Sequence, residues 1–247
     1  GVTTLLCTAK GDTAEIARRA TEQCPTVKNM ILVGENRPGW HDFDSEYALY
    51  SSHFSRTEDT PCGRDAALMF FSSGTTGEPK MVEHSHTYAL GHFVTAKYWH
   101  CCEPDGLHFT ISDTGWGKSL WGKLYGQWMC EGAVFVYDFD RFNARDIMPL
   151  LGKYKVTTFC APPTMLRMMM KEDLASYDFS TIKHMTTAGE ALNPEIAKQF
   201  MAATGLSIAE GFGQTETTLT VANLVGTEVR PGSMGKPSPQ YDVDIVD

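Results

Sequence analysis

The sequence predicts an α/β fold, a layered αβα arrangement with a mainly parallel sheet flanked by helices, on two observations. From Ala66 onward short apolar runs alternate with segments of helical spacing, and glycine- and hydroxyl-rich loops stand just after several of those runs. Alternating strands and helices cover both faces of a parallel sheet, and ligands are then expected at the carboxyl ends of its strands. The 247 residues, 42% hydrophobic, suffice for a substantial core.

Val2 to Cys7 reads as a strand, and Asp12 with Glu15 three positions on reads as the capped start of a helix carrying Ile16, Ala20 and Cys24 at helical spacing. Val27 to Val33 is the next strand. Glu35 to Arg64 is polar and aromatic, with Pro38-Gly39 and Pro61 as breakers, and reads as a long connection with one short helix. Residues 1–64 are therefore expected to be a βαβ entry segment plus connection, and residues 65–247 the main α/β body. In that body Ala66 to Phe71 is a strand, the loop after it leads into a helix-like segment, and a helix lies near Ser85 to Trp99. Strand Leu107 to Ile111, a helix near Lys118 to Met129 and strand Ala133 to Tyr137 follow. Asn143 to Tyr154 is helical in composition, although Pro149 argues for a kink or an early end. Strand Val156 to Cys160, helix Thr164 to Met170 and strand Ile182 to Thr187 come next. Asn193-Pro194 opens a helix that Gly205 closes, and Leu206 to Ala209 is a strand. Met165, Met168, Met169 and Met170 read as adaptable core packing rather than a ligand surface.

A formal net charge of −9 disfavours nonspecific binding to nucleic acid or an anionic membrane, so an anionic ligand has to be held by local donors. Seven cysteines without a C-x-x-C pair leave at least one thiol free and point to a reducing cytoplasm. His84, His86, His92 and His100 beside Cys101 and Cys102 lack the paired spacing of a structural zinc site and read as ordinary satisfied or exposed side chains. No apolar run approaches the about 20 residues that span a bilayer, and Gly1-Val2-Thr3 reads as the approach to a strand, neither a signal peptide nor a true chain start.

The chemistry concentrates in Ser72-Ser73-Gly74-Thr75-Thr76-Gly77-Glu78-Pro79-Lys80. Gly74 and Gly77 let the backbone turn sharply and aim N–H groups at an anion, Ser72, Ser73, Thr75 and Thr76 add hydroxyl donors, and Lys80 adds a mobile positive charge. That reads as a phosphate clamp. It is not the loop G-x-x-x-x-G-K-[ST], because Glu78 follows Gly77 and Pro79 opposes an immediate helix start. Three more loops follow predicted strands: Ser112-Asp113-Thr114-Gly115-Trp116-Gly117-Lys118, then Ala188-Gly189-Glu190-Ala191, then Glu210-Gly211-Phe212-Gly213-Gln214-Thr215-Glu216-Thr217, where Phe212 offers a stacking face.

These four segments, in this order, resemble the core motifs of the adenylate-forming (AMP-binding) superfamily, and the chain resembles the middle of a member, part of its large N-terminal domain. The resemblance implies ATP, Mg²⁺ and coenzyme A as cosubstrates and cofactor. It implies that Ser72 to Gly77 and Lys80 hold phosphates, that Gly189, Glu190, Ala191, Gly211, Phe212, Gly213 and Gln214 wall the adenine, and that Thr215 reaches the α-phosphate. Glu216 would hold the metal, and Thr76, Lys80 and Glu216 would be the catalytic set. Gly232-Ser233-Met234-Gly235-Lys236-Pro237 and Tyr241 to Val246 fit the turn and strand that lead out of this domain. The family continues with a ribose-binding aspartate, a hinge and a small C-terminal domain bearing a catalytic lysine, all expected outside this chain. Within the superfamily Ser112 to Lys118 and Trp121 look most like synthetases of short and medium chain acids, with Trp116, Gly117, Lys118, Trp121 and Ala188 lining the acyl pocket. Trp121 also has a reading as plain core, and an amino-acid or aryl-acid activating domain, or a binding fragment without turnover, stands as the alternative.

Overall fold

The computed structural model of the chain describes residues 1–73 and 77–246 and divides it into two units, Gly1–Thr60 and Pro61–Asp247. In the first, β1 (Thr4–Thr8), α1 (Thr13–Thr21), β2 (Asn29–Val33) and β3 (His41–Asp42) build a three-stranded parallel sheet, followed by α2 (Phe43–Glu46) and a 3-10 turn at Tyr47–Leu49. The face of α1 turns out differently from the expected one: Ala14 is buried and Ala17 partly so, whereas Ile16, Ala20 and Cys24 are exposed. Nor does Asp12 cap the helix by its side chain. Its φ of −95° and ψ of 8° lie outside the extended region that a cap uses, and Glu15 is drawn to Arg18 instead.

In the second unit β4 (Ala66–Ser72) and β5 (Lys80–Ser85) form an antiparallel hairpin. The helix-like reading after the loop is thus corrected to a strand. Lys80-Met81-Val82-Glu83-His84-Ser85 has little apolar character because alternate positions face outward, and pairing with β4 settles its conformation. There follow α3 (Tyr88–Val94) with a π-helical turn at Thr95–Trp99, β6 (Leu107–Thr110), α4 (Gly117–Leu120), a π-helical turn at Trp121–Tyr125, α5 (Gly126–Met129) and β7 (Ala133–Val134). Then come α6 (Ala144–Lys153), β8 (Thr158–Cys160), α7 (Pro163–Met169), β9 (His184–Thr187), α8 (Pro194–Thr204), β10 (Ile208–Gly213), β11 (Leu219–Ala222) and β12 (Lys236–Pro237).

A seven-stranded sheet runs β12-β11-β10-β9-β8-β6-β7, parallel from β7 to β10 and antiparallel across β11 and β12. Phe109, Phe159, Met185 and Ile208 are register partners in one row and belong to the same core as Ile147, Met148 and Leu151 of α6, Leu166 and Met169 of α7, and Phe200 of α8. The neighbouring row, Thr110, Cys160, Thr186 and Ala209, turns to the opposite face, where Trp99 packs on Cys160 and Ala209. Helices therefore lie on both faces, as expected.

Details differ from expectation in three places. Pro149 sits inside α6 without ending it, because it and Arg145, whose carbonyl it deprives of a donor, are both exposed to water. Glu210 to Gly213, expected as loop, lies within β10, since β11 folds back beside it and supplies partners for Gly211, Phe212 and Gly213. Tyr241 to Val246 forms no strand. The α8 boundaries follow the sequence signals: Asn193 accepts from Glu195 N at 2.9 Å, and Gly205 takes the left-handed φ of 75° at the end. Of the four methionines, Met169 is fully buried, Met165 and Met170 pack against the core, and Met168 is exposed.

Candidate active site at the carboxyl ends of the strands

Three of the four motif segments lie at the carboxyl ends of β6, β9 and β10, and the hairpin brings in the fourth. After β6, Asp113 folds its own loop: Oδ1 accepts from Gly115 N at 2.7 Å and its carbonyl accepts from Trp116 N at 3.1 Å, which launches α4 at Gly117. Trp116 is left 63% exposed, while Gly117 faces the Phe70 ring of β4, where a Cβ would stand 3.5 Å from the ring, in ordinary van der Waals contact. Lys118 reaches across to donate from Nζ to the Ala188 carbonyl after β9, at 3.5 Å. Lys123 donates to the Thr110 carbonyl at 3.4 Å, and burial pulls its ammonium below the usual lysine range.

The loop after β9 turns at Gly189, whose φ of 103° favours glycine. Thr164 of α7 donates its hydroxyl to both Glu190 oxygens at 2.8 Å, and Arg167 Nη2 donates to Thr164 Oγ1 at 2.7 Å. The next residues are fixed from beneath: buried Glu210 accepts from Leu192 N at 2.9 Å. Thr187 Oγ1 donates to the Ala161 carbonyl at 2.7 Å, tying the ends of β8 and β9 together.

The Gln214–Thr217 segment is closed by Thr217 N to the Gln214 carbonyl at 3.2 Å and Gln214 N to Thr217 Oγ1 at 3.0 Å. It is roped to the hairpin and to α3. His84 of β5 has Nε2 at 2.7 Å from the Thr215 carbonyl, and Tyr88 of α3 donates its hydroxyl to the Thr217 carbonyl. Glycine at 211 and 213 serves packing within the chain, because a Cβ at Gly211 would stand 2.7 Å from Trp99 and one at Gly213 would stand 2.5 Å from the Thr218 carbonyl. Phe212 is part-exposed at 39%, open to stacking.

At the hairpin tip Ser72 pairs with Lys80, and Ser73, Gly77 and Lys80 are exposed, with Gly77 at φ 94°. Gly74, Thr75 and Thr76 lie outside the described residues, as does the side chain of Trp121. The structure thus brings together Lys118 with Ala188, and Thr215 with the hairpin that carries Ser72 and Lys80.

Beneath the site lies a layer of histidines and threonines. His108 is held between Thr158 Oγ1 at 2.7 Å and Thr110 Oγ1 at 2.6 Å, and His100 Nδ1 lies 2.8 Å from Thr186 Oγ1. Burial first, and the nearby Lys118 and Lys123 second, push His108 down to about 3. The sequence reading missed His84, Thr164, Arg167 and Lys123 as parts of the site. His84 stood in a histidine-rich stretch whose spacing suggested nothing, and only its partner 131 residues away gives it a task.

The AMP-binding enzyme family matches residues 1–247. The human mitochondrial acyl-coenzyme A synthetase ACSM3 is 38% identical over 235 residues, covering 91% of this chain and 38% of the relative, and human mitochondrial ACSM5 is 39% identical over 229 residues, covering 91% and 39%. The chain thus spans well under half the length of these relatives. Both relatives are mitochondrial, which corrects the cytoplasmic expectation: a free thiol asks for reducing surroundings and does not distinguish one reducing compartment from another. Among solved structures, the anthranilate CoA ligase AuaEII in complex with anthranoyl-AMP superposes with a TM-score of 0.89 at 23% identity, over 100% of this chain and 47% of that one. An acyl-CoA synthetase of Brucella canis superposes with 0.85 at 25% identity, over 100% and 45%. With the family matching from the first residue to the last, this chain belongs to the AMP-binding enzymes.

Proposed function

We propose that the chain is the central region of an acid-thiol ligase that activates a short or medium chain carboxylic acid with ATP. Residues 1–64 would close a first subdomain and residues 65–247 hold nucleotide and acid. The observation that carries this reading is the convergence of the motif loops on one edge of the sheet, joined by Lys118 to Ala188 and by His84 to Thr215. The similarity to acyl-coenzyme A synthetases supports it.

In the proposed reaction a carboxylate oxygen attacks the α-phosphorus of ATP, the bond to the bridging oxygen breaks, and pyrophosphate leaves. The thiol of coenzyme A then attacks the acyl carbon of the adenylate, loses its proton, and AMP departs. The chain's part is to position and to neutralise charge. Ser72, Ser73, Gly74, Thr75, Thr76, Gly77 and Lys80 hold the phosphates, Gly189 to Ala191 and Gly211 to Gln214 wall the base, and Thr215 meets the α-phosphate. ATP–pyrophosphate exchange in the full-length protein, run with butyrate, octanoate and a panel of amino acids, tests this reading: exchange confined to amino acids would overturn it.

Among the described residues no group of three or more His, Cys, Asp and Glu is placed to hold a metal ion. The Glu216 side chain is exposed and engages no described residue, which fits a Mg²⁺ that arrives with phosphates and takes one or two carboxylates. Bound there, Mg²⁺ would neutralise phosphate charge. Glu216→Ala is expected to weaken Mg·ATP binding about tenfold or more, the equivalent of about 1.5 to 3 kcal/mol for bonds to charged groups, with AMP binding retained. Unchanged Mg·ATP affinity in a calorimetric titration would remove Glu216 from the site.

The acyl pocket is proposed at Trp116, Gly117, Lys118, Trp121 and Ala188. A large indole at Trp121 would end the pocket early, so that longer acids forfeit about 0.8 kcal/mol for each methylene left without a place. Trp121→Ala in the full-length protein is expected to move the preferred acid toward longer chains by a few carbons. An unchanged chain-length profile with a lower melting temperature would instead make Trp121 core.

A further inference from the structure

The Gln214–Thr217 turn carries the residues proposed to meet the α-phosphate and the metal; besides its own closing bonds it is held by His84 and Tyr88, about 130 residues earlier. His84 is 7% exposed, stacked on Tyr88 with ring centroids 3.7 Å apart and 12° between planes, and met edge-on by Phe70 at 6.0 Å. So confined, the ring has one orientation. A carbonyl oxygen only accepts, so the 2.7 Å contact with Thr215 O requires a hydrogen on His84 Nε2, and the histidine donates in its neutral and its protonated form alike. Tyr88, the residue against which His84 stacks, donates to the carbonyl two positions on, Thr217 O. Beyond the turn, Thr218 N donates to Tyr241 Oη at 2.7 Å. The backbone on either side of Glu216 is therefore pinned through its carbonyls, while the Glu216 carboxylate is left without a described partner.

We propose that His84 is a positioning residue for magnesium-bound triphosphate: its bond to the Thr215 carbonyl sets the turn that presents Thr215 and Glu216. The proposal rests on the nucleotide-binding reading above and adds to it a residue outside the four motif loops. Glu216 is exposed and has no described partner of its own to hold it, so its placement depends on the backbone. A shift of about 1 Å at such a group is enough to degrade binding geometry severely. The Gly189–Ala191 side of the adenine wall does not depend on His84 in the same way, because Glu190 is held by Thr164 and Arg167, and Leu192 by Glu210.

The test is calorimetric titration of the full-length protein and of its His84→Phe and His84→Gln variants with Mg·ATP and with adenosine. Phenylalanine keeps the stack and removes the donor; glutamine supplies a donor amide. His84→Phe is expected to lose about tenfold in Mg·ATP affinity with adenosine affinity unchanged, and His84→Gln to recover a measurable part of that loss. If the unaltered full-length protein binds Mg·ATP and His84→Phe binds it equally well, the His84 role is wrong and the nucleotide reading stands. Equal losses for both ligands in both variants, with a lowered melting temperature, would make His84 a packing residue only. Failure of the unaltered full-length protein to bind Mg·ATP would defeat the nucleotide reading itself, and this role with it.

Discussion

Phe159→Ala is expected to cost about 3 to 5 kcal/mol of unfolding free energy, the usual range for emptying a buried aromatic site, and to lower the melting temperature by roughly 6 to 20 °C. Phe159 sits in the middle strand of the parallel sheet with none of its surface exposed, its ring 5.6 Å from that of Phe109 and its register partner Met185 also fully buried. The neighbours come from sheet and helices at once, so the site cannot collapse without moving both layers. Phe159→Leu preserves most of the volume and should cost less than about 1.5 kcal/mol. Urea unfolding of the two variants measures the difference; similar small losses would mean that this row is not the centre of the core.

Acid is expected to destabilise the protein well before its carboxylates titrate. His92 and His108 are pushed by burial from 6.5 to about 3, and burial lowers His184 as well. A histidine whose folded value is depressed contributes stability that is whole above its unfolded value near 6.5 and drains away as pH falls toward the folded value, because only the unfolded chain takes up the proton in between. At pH 5 the loss is about 2 kcal/mol for each fully depressed ring, or about 4 kcal/mol for His92 and His108 together. Glu103 and Asp178, lowered from 4.5 and 3.8 by Lys183 and Ser180, lose their contributions only in more acid solution, so the window from pH 7 to 5 isolates the rings. Unfolding free energies at pH 7, 6 and 5 read the slope. His108→Gln should flatten it by one proton, and a curve level across this window would contradict the buried, neutral rings.

The parts of the fold that sequence reveals are those with local causes. Asn193-Pro194 and Gly205 bracket α8 because cap, fixed proline φ and left-handed glycine act within a few residues. The strands of the parallel core are visible as apolar runs because both of their faces are covered. What misleads is decided at a distance. Lys80 to Ser85 is a strand by virtue of β4, and Gly211 to Gly213 by virtue of β11, so neither carries a strand signal of its own. On α1 the larger side chain Ile16 suggests the inner face, whereas the inner face is built from small residues, Ala14 and Ala17. The candidate site divides in the same way. Its loops announce themselves by glycines and hydroxyls, but the side chains that hold the loops, His84, Thr164 and Arg167, are ordinary residues until their partners are seen.

The bond from His84 to Thr215 joins residues 131 apart in sequence, and that distance has a history in time as well as in space. At about 5 to 20 residues per second, a ribosome that has finished His84 needs roughly 7 to 26 s more to deliver Thr215. Through that interval β4 and β5 can pair with each other, a local event of microseconds, while the partner of the buried imidazole does not yet exist. The outward-facing Met69, Phe71 and Met81 of the same hairpin are exposed in this structure, at 48%, 67% and 67%. The nascent chain therefore carries a half-anchored hairpin for many seconds before the residue that holds its imidazole is made.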